Sequence, residues 1–312
     1  MRNTVILGAG AIGLSFAAVF LDSGDAVTVI EPDPARRDAI PAGIEAQARA
    51  IEEAGLKRNR GGRLTSAASL GDALAGAALV IECGPEDLAF KQAVFRQLID
   101  GSETDTLIVT ASSALPISWI VPNRADQARC LVAHPVNPPA VLRLIELAPA
   151  PGTTPAAMRR AKTCFDEAGF EAVPLSREIE GFVLNRLQGA VLREAYRLVE
   201  EGVVDVAGVE TVVRLGLGPR WALSGPFETA ELNTPGGIRA HAARMGSAYR
   251  SMGEARGETR CRWSEELVDM VDGQRRAMLA LEDLPARAAW RVRAVARLVA
   301  FRDSLYRSGH GD

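Results

Sequence analysis

His134 closes an apolar run, CLVAHP at 130–135, and prolines follow it. That places an imidazole at the end of a buried strand, on the edge where open α/β sheets bind ligands. Glu146 sits in the middle of a second apolar run, LIELA at 144–148. A carboxylate there is costly to bury without a partner. If the two pair, the carboxylate accepts from one ring nitrogen, fixes the tautomer and leaves the other nitrogen for proton transfer. The same spacing fits a hydrogen-bonded core histidine beside an edge-strand glutamate, so both readings stand. No second histidine is close, which argues against a metal. Asn185 lies in an apolar helical stripe, GFVLNRL. Asparagine is a poor helix former, so its amide is either used or merely tolerated there. Ser112 and Ser113, in ASS at 111–113, follow another apolar run.

A second group of residues is glycine-based. Gly8, Gly10 and Gly13, with Ala11 and Ile12 between them, form GxGxxG directly after the run NTVIL. The first glycine permits a tight turn, the second lets backbone approach a pyrophosphate, and the third lets a helix pack on the strand. The phosphates then face the free N–H groups of the helix N-terminus. Glu31, 23 residues after Gly8, ends the next strand. A carboxylate there accepts from both ribose hydroxyls and repels a 2′-phosphate, which favours NAD over NADP. Arg36 and Arg37 nearby oppose that preference slightly.

These residues need a scaffold of alternating elements. Strands are expected at 3–7, 26–31, 78–83, 106–111, 130–135, 143–149 and 170–174, and helices at 11–22, 34–54, 87–99 and 155–168. The alternation predicts an α/β, Rossmann-type doubly wound parallel sheet covered on both faces. After residue 178 the pattern turns helical, near 181–202, 205–214, 227–252, 264–282 and 285–307, with no convincing strand. Two domains follow: 1–178 for NAD and 179–312 as an all-helical part for substrate and dimerisation.

Composition excludes several classes. Hydrophobic residues are 47% and charged residues 24%, ordinary for a globular protein. No apolar run reaches the ~18 residues of a membrane span, and the first apolar stretch, broken by glycines and ending in LDSGD, does not read as a signal peptide. A net charge of −3 argues against a nucleic-acid surface, although KRNRGGR at 57–63 is locally basic. Cys83, Cys130, Cys164 and Cys261 are scattered without a CxxC, as expected for a reducing cytoplasm and no structural metal. The RSGHGD tail, with His310, is expected to fray.

Taken together, GAGAIG (8–13), ECGPEDLAFK (82–91), AHPVNPP (133–139), IELAPAP (145–151), GFVLNRLQ (181–188), EAYRLVEEGVV (194–204), GLGPRWALSGPFET (216–229) and ELN (231–233) resemble the 3-hydroxyacyl-CoA dehydrogenase superfamily. Within it they resemble the lambda-crystallin, L-gulonate 3-dehydrogenase branch, over roughly residues 3–250. The resemblance implies that His134 is the catalytic base and Glu146 its partner. It puts Ser113, with Ser112 the second choice, and Asn185 on the substrate oxygen. NAD contacts fall on Glu31, Glu86, Lys91 and Asn137. The substrate carboxylate falls on Arg220, beside Trp221, and a homodimer through the helical part is implied. Where the fatty-acyl enzymes hold CoA with a Ser and a Lys, this chain has Gln47 and Ala54. That weakens a CoA substrate, though KRNR at 57–60 offers substitute charge. Gly189 stands where the animal gulonate enzymes are bulkier. The expected activity is NAD-dependent oxidation of the 3-hydroxyl of a small, L-gulonate-like hydroxy acid to the 3-keto acid. Its rivals are an (S)-3-hydroxyacyl-CoA dehydrogenase and a crystallin-like structural or binding protein.

Overall fold

The computed structural model describes residues 1–259 and 262–307. Cys261, His310 and the rest of the 308–312 tail lie outside the described residues. The chain forms two compact units that meet between Leu192 and Arg193.

The first unit runs β1 (Asn3–Leu7), α1 (Ala11–Asp22), β2 (Ala26–Ile30), α2 (Pro34–Asp38), α3 (Ile40–Glu53), β3 (Arg63–Ala67), β4 (Leu79–Glu82), α4 (Leu88–Gly101), β5 (Leu107–Thr110), α5 (Ile117–Ile120), β6 (Cys130–Pro135), β7 (Leu144–Pro149), α6 (Pro155–Ala168) and β8 (Glu171–Pro174). A longer helix, α7 (Leu184–Glu200), then carries the chain across the boundary. Eight strands form one sheet in the order β3-β2-β1-β4-β5-β6-β7-β8. Side-chain alternation divides the core between its faces. Val5, Val80 and Ile108 enter one cluster with Phe95, while Ile6, Ile81 and Val109 enter the other. In the second cluster Phe16 and Phe20 of α1 meet Phe165 and Phe170, with ring centroids 5.7–6.5 Å apart. Burying rings of this size stabilises by ~1.5–3 kcal/mol each, which seats α1 and its glycine turn on the sheet.

Several elements differ from the sequence reading. The expected helix over 34–54 is two helices, because Pro41 at the start of α3 has no N–H to continue α2. The strand β3 was not foreseen. Its sequence, RLTSA, is an edge strand with little buried, so no apolar run marks it. The basic KRNR segment is committed locally. Lys57 pairs with Glu52 at 2.9 Å, Arg58 Nη1 donates to the Glu167 carbonyl, and Asp22 accepts from the Arg58 and Asn59 amides at 2.8 and 3.0 Å.

The sheet is also not wholly parallel. β6 and β7 run antiparallel, with His134 directly opposite Glu146. Residues 136–143 between them are too few for a parallel crossover, which takes a dozen or more. The first compact unit extends to Leu192 and so includes residues 179–192. Phe182 is fully buried against the sheet side of that boundary.

The second unit is helical among its described residues: α8 (Val206–Val212), a π-helical turn (Val213–Leu217), α9 (Gly218–Trp221), α10 (Pro226–Glu231), α11 (Gly237–Ala255), α12 (Glu265–Met278) and α13 (Leu284–Arg307). The helix expected over 227–252 is broken by Gly236 and Gly237, both at positive φ. Glu231, fully buried, is held by Arg275 and Arg276 of α12, which ties α10 to α12.

Candidate active site

The glycine turn forms the first part of the site. Gly8 has φ +99°, a conformation that glycine adopts without strain, and its missing Cβ leaves room for the Cys83 carbonyl. A Cβ on Gly13 would lie 2.0 Å from the Gly8 oxygen, so only glycine lets α1 close onto the turn. A Cβ on Gly10 would meet no protein atom within 4 Å, because that direction is open. α1 has no side-chain N-cap and no acidic residue in its first turn. Its opening amides are therefore available to an anion.

Glu31 stands just past β2, with 4% of its surface exposed. Its carboxylate accepts from the Ala9 amide at 3.1 Å and the Asp33 amide at 3.2 Å, which fixes its direction beside the turn. Arg37 is spent on the carbonyls of Glu31 and Pro32. Arg36 lies 3.5 Å from the Glu31 carboxylate. A cavity of about 850 Å³ opens here, lined by Gly8, Gly10, Glu31, Ser69, Cys83 and Pro85. An open cradle at Gly10, free amides and a fixed carboxylate fit a dinucleotide: Gly8, Gly10, Ala11, Ile12 and Gly13 would hold the pyrophosphate and Glu31 the ribose.

The second part sits at the carboxyl ends of β4, β5 and β6. His134 Nδ1 is 2.9 Å from Glu146 Oε2, and both residues are buried. The other oxygen, Glu146 Oε1, accepts from the amides of Val183 and Leu184 at 2.9 and 3.1 Å, where α7 begins. Those are N–H groups a helix leaves unpaired, and the positive end of its dipole faces the carboxylate. The burial cost of the charge is thus offset by three donors. The Phe182 ring lies 5.1 Å from the imidazole, centroid to centroid. The chain reaches that position through positive φ at Gly181 and Phe182. His134 Nε2 has no hydrogen bond among the described residues, so the ring has one committed and one free nitrogen.

Glu86 organises the turn after β5. Its Oε1 accepts from Ser112 Oγ at 2.6 Å and from the Ser113 and Ala114 amides at 3.0 and 3.1 Å. Burial pushes the Glu86 carboxyl up, but the Ser112 hydroxyl, the Lys91 charge and the two amides together hold it below the usual range. Asn185 Nδ2 donates to the Ser113 carbonyl at 2.7 Å. Ser112 is fully buried and Ser113 is exposed, which leaves the Ser113 hydroxyl the freer of the two. Asn137 is exposed after β6.

Lys91 is engaged by a buried acid. Its side chain is 1% exposed and its ammonium lies 2.8 and 3.0 Å from the Glu82 oxygens. Arg220 lies in the second unit. Its Nε donates to the Gly216 carbonyl at 3.2 Å, and its two terminal nitrogens have no hydrogen bond among the described residues. Glu82, Thr110 and Phe182 were not singled out from sequence. Glu82 carries a signal like that of Glu146, a carboxylate in an apolar strand, here at its end, and was legible on that ground. Nothing in the sequence marks the Phe182 conformation.

Two family models cover most of the chain: the 3-hydroxyacyl-CoA dehydrogenase NAD-binding domain over residues 3–179 and the C-terminal domain over residues 181–278. The chain belongs to the 3-hydroxyacyl-CoA dehydrogenase family. It is 35% identical to the lambda-crystallin homolog of Bos taurus, over 97% of this chain and 96% of that one. It is also 35% identical to the L-carnitine dehydrogenase of Streptomyces griseus, over 77% of this chain and 72% of that one. The crystal structure of a 3-hydroxyacyl-CoA dehydrogenase from Archaeoglobus fulgidus shares the fold, with a TM-score of 0.72 over 97% of this chain and 99% of that one, at 20% identity. Within the family the chain groups with the lambda-crystallin branch. Like other 3-hydroxyacyl-CoA dehydrogenase family members it is an oxidoreductase that oxidises a hydroxyl group of a small molecule with NAD. An enzymatic role thus replaces the purely structural alternative. Among the described residues no helix is long and apolar enough to cross a membrane.

Cofactor choice gives a first prediction. NAD should be preferred over NADP by about tenfold or more in kcat/KM, because a 2′-phosphate beside Glu31 costs over ~1.4 kcal/mol. Arg37 is already used and does not offset this. Equal kcat/KM for the two cofactors would sink the role given to Glu31.

Proposed function

We propose that the protein oxidises the 3-hydroxyl of a small, free hydroxy acid, with L-gulonate the first candidate, to the 3-keto acid. The observation that carries this reading is the imidazole with one nitrogen held by Glu146 and the other free. His134 Nε2 takes the hydroxyl proton, and Glu146 offsets the charge of the imidazolium that forms. NAD, held at the glycine turn and Glu31, would supply the acceptor for the hydride that leaves the carbinol carbon. Ser113 and Asn185 orient the substrate oxygen and polarise the product carbonyl. Glu86 and Asn137 line the cofactor side, and Arg220 takes the substrate carboxylate as a charge-assisted pair.

A free acid is favoured over a CoA thioester by what stands in the CoA positions. Gln47 Oε1 accepts from the buried Ser15 hydroxyl at 2.9 Å, fastening α3 to α1, and Lys57 and Arg58 are engaged in their own contacts. The similarity to an L-carnitine dehydrogenase, named for a free 3-hydroxy acid, points the same way. The second reading, an (S)-3-hydroxyacyl-CoA dehydrogenase, is favoured by the similarity to a 3-hydroxyacyl-CoA dehydrogenase of Gibberella moniliformis, 33% identical over 87% of this chain. In the same proposal the protein works in the cytoplasm as a homodimer through its helical part. Exposed Phe227, Met252 and Met270 support the dimer, and the free thiols Cys83, Cys130 and Cys164 support the compartment.

NADH formation on matched 3-hydroxy acids, free and as CoA thioesters, tests the proposal. Turnover should be higher on the free acids, and higher kcat/KM on the thioesters would overturn it. Arg220→Met should raise KM for the hydroxy acid roughly tenfold or more while NADH affinity holds. An unchanged KM would mean that another group anchors the carboxylate.

A further inference from the structure

Glu82 is the most deeply buried carboxylate at the edge of the sheet where the site lies, and the reaction scheme above gives it no task. It ends β4 with no exposed surface. Its Oε1 accepts from the Gly84 amide at 2.6 Å and Lys91 at 3.0 Å, and its Oε2 from Lys91 at 2.8 Å and Thr110 Oγ1 at 2.6 Å. The Lys91 ammonium also lies 3.6 Å from Glu86 Oε2. One cation therefore stands between two carboxylates and is closer to Glu82. Glu86 in turn spends its other oxygen on three donors of the 112–114 turn. The Ser113 carbonyl of that turn is where Asn185 is fixed.

We propose that Glu82 is a positioning residue for the reaction: by engaging the Lys91 ammonium it leaves Glu86 free to hold the Ser112–Ala114 turn, and through it Asn185. Thr110 reinforces the link, since its Oγ1 accepts from the Ser112 amide at 3.1 Å while donating to Glu82. Without the Glu82 charge, the ammonium has one carboxylate left to pair with. It moves onto Glu86 and draws that side chain away from the three turn donors. The proposal rests on the role given above to Ser113 and Asn185.

The test uses the full chain with Glu82→Gln, which keeps shape and removes charge. Amide hydrogen exchange reads the turn directly, and steady-state kinetics reads the reaction. Exchange at Ser113 and Ala114 should speed up, and kcat should fall by roughly tenfold or more, with KM for the hydroxy acid moving less. A double variant, Glu82→Gln with Lys91→Met, removes the ammonium as well. Glu86 then keeps its donors, so the turn should regain its protection and kcat should exceed that of Glu82→Gln. Wild-type exchange at the turn in Glu82→Gln overturns the proposal. So does a double variant no better protected than the single one, because Glu82 would then be only a buried strut. If Glu82→Gln does not fold, the double variant decides alone, and an unprotected turn in it is fatal. Faster exchange with unchanged kcat supports the Glu82–Glu86 coupling and overturns instead the assignment of Asn185 and Ser113.

Discussion

Replacing His134 with glutamine should lower kcat by ~10²–10⁴-fold, the usual cost of losing a general base. NADH should still bind, because the glycine turn and Glu31 belong to other elements. The reaction needs a neutral imidazole with a free nitrogen, and no other described histidine offers one in the first unit. His241 lies in α11, where burial and the nearby Arg244 charge lower its pKa and Thr234 contacts its Nδ1. Glutamine fills a similar volume and can still contact Glu146, so a collapse of the fold is not expected. Glu146→Gln should lose less than His134→Gln. An amide oxygen can still accept from the Val183 and Leu184 amides but cannot offset an imidazolium. Near-wild-type turnover in His134→Gln on the best substrate would refute the mechanism while leaving the fold untouched.

Gly13→Ala should be damaging in a different way. The added Cβ lies 2.0 Å from the Gly8 oxygen, and both partners are backbone, so no flexible side chain can yield. Either α1 lifts from the turn or the turn opens, at ~1–3 kcal/mol of stability. In both cases the amides that face the pyrophosphate are displaced, and NADH affinity should drop by roughly 100-fold. Gly10→Ala makes the contrast. Its Cβ meets no protein atom within 4 Å, so the melting temperature should hold while the methyl group blocks the approach of a phosphate. Melting curves and NADH titrations of the two variants separate these effects. A Gly13→Ala protein with unchanged melting and unchanged NADH affinity would rule out the packing described for this turn.

The glycine turn, the strand ends and the facing of His134 and Glu146 could be anticipated because each is a local anomaly. A run of glycines, or a charged group in an apolar run, is visible without tertiary contacts. The antiparallel turn of β7 was legible in principle, since eight residues cannot make a crossover, but alternation alone suggested a parallel sheet. The polar β3 gave no signal, because an edge strand needs little apolar surface. Lys91 shows the limit most clearly. Its place in the ECGPEDLAFK stretch does not reveal that its ammonium pairs with the buried Glu82, because only the fold turns the two side chains toward each other. The clamp on Glu146 by the start of α7 was hidden for a similar reason. It uses backbone amides, which every residue has, exposed by an unusual conformation at Phe182.

The antiparallel pairing of β6 and β7 also sets where the chain tolerates changes of length. His134 and Glu146 face each other because the sum of paired residue numbers is constant along the hairpin. Residues inserted around 139–142 lengthen only the connection and leave that pairing available. Deleting one residue of β7 after Glu146 is another matter. Successive side chains of a strand point to opposite faces, so either the carboxylate turns away from the imidazole or the strand beyond it falls out of step with Leu131 and Val132 of β6. Homologous chains can thus vary freely in the length of this connection, but not in the count of residues between Glu146 and the end of its strand.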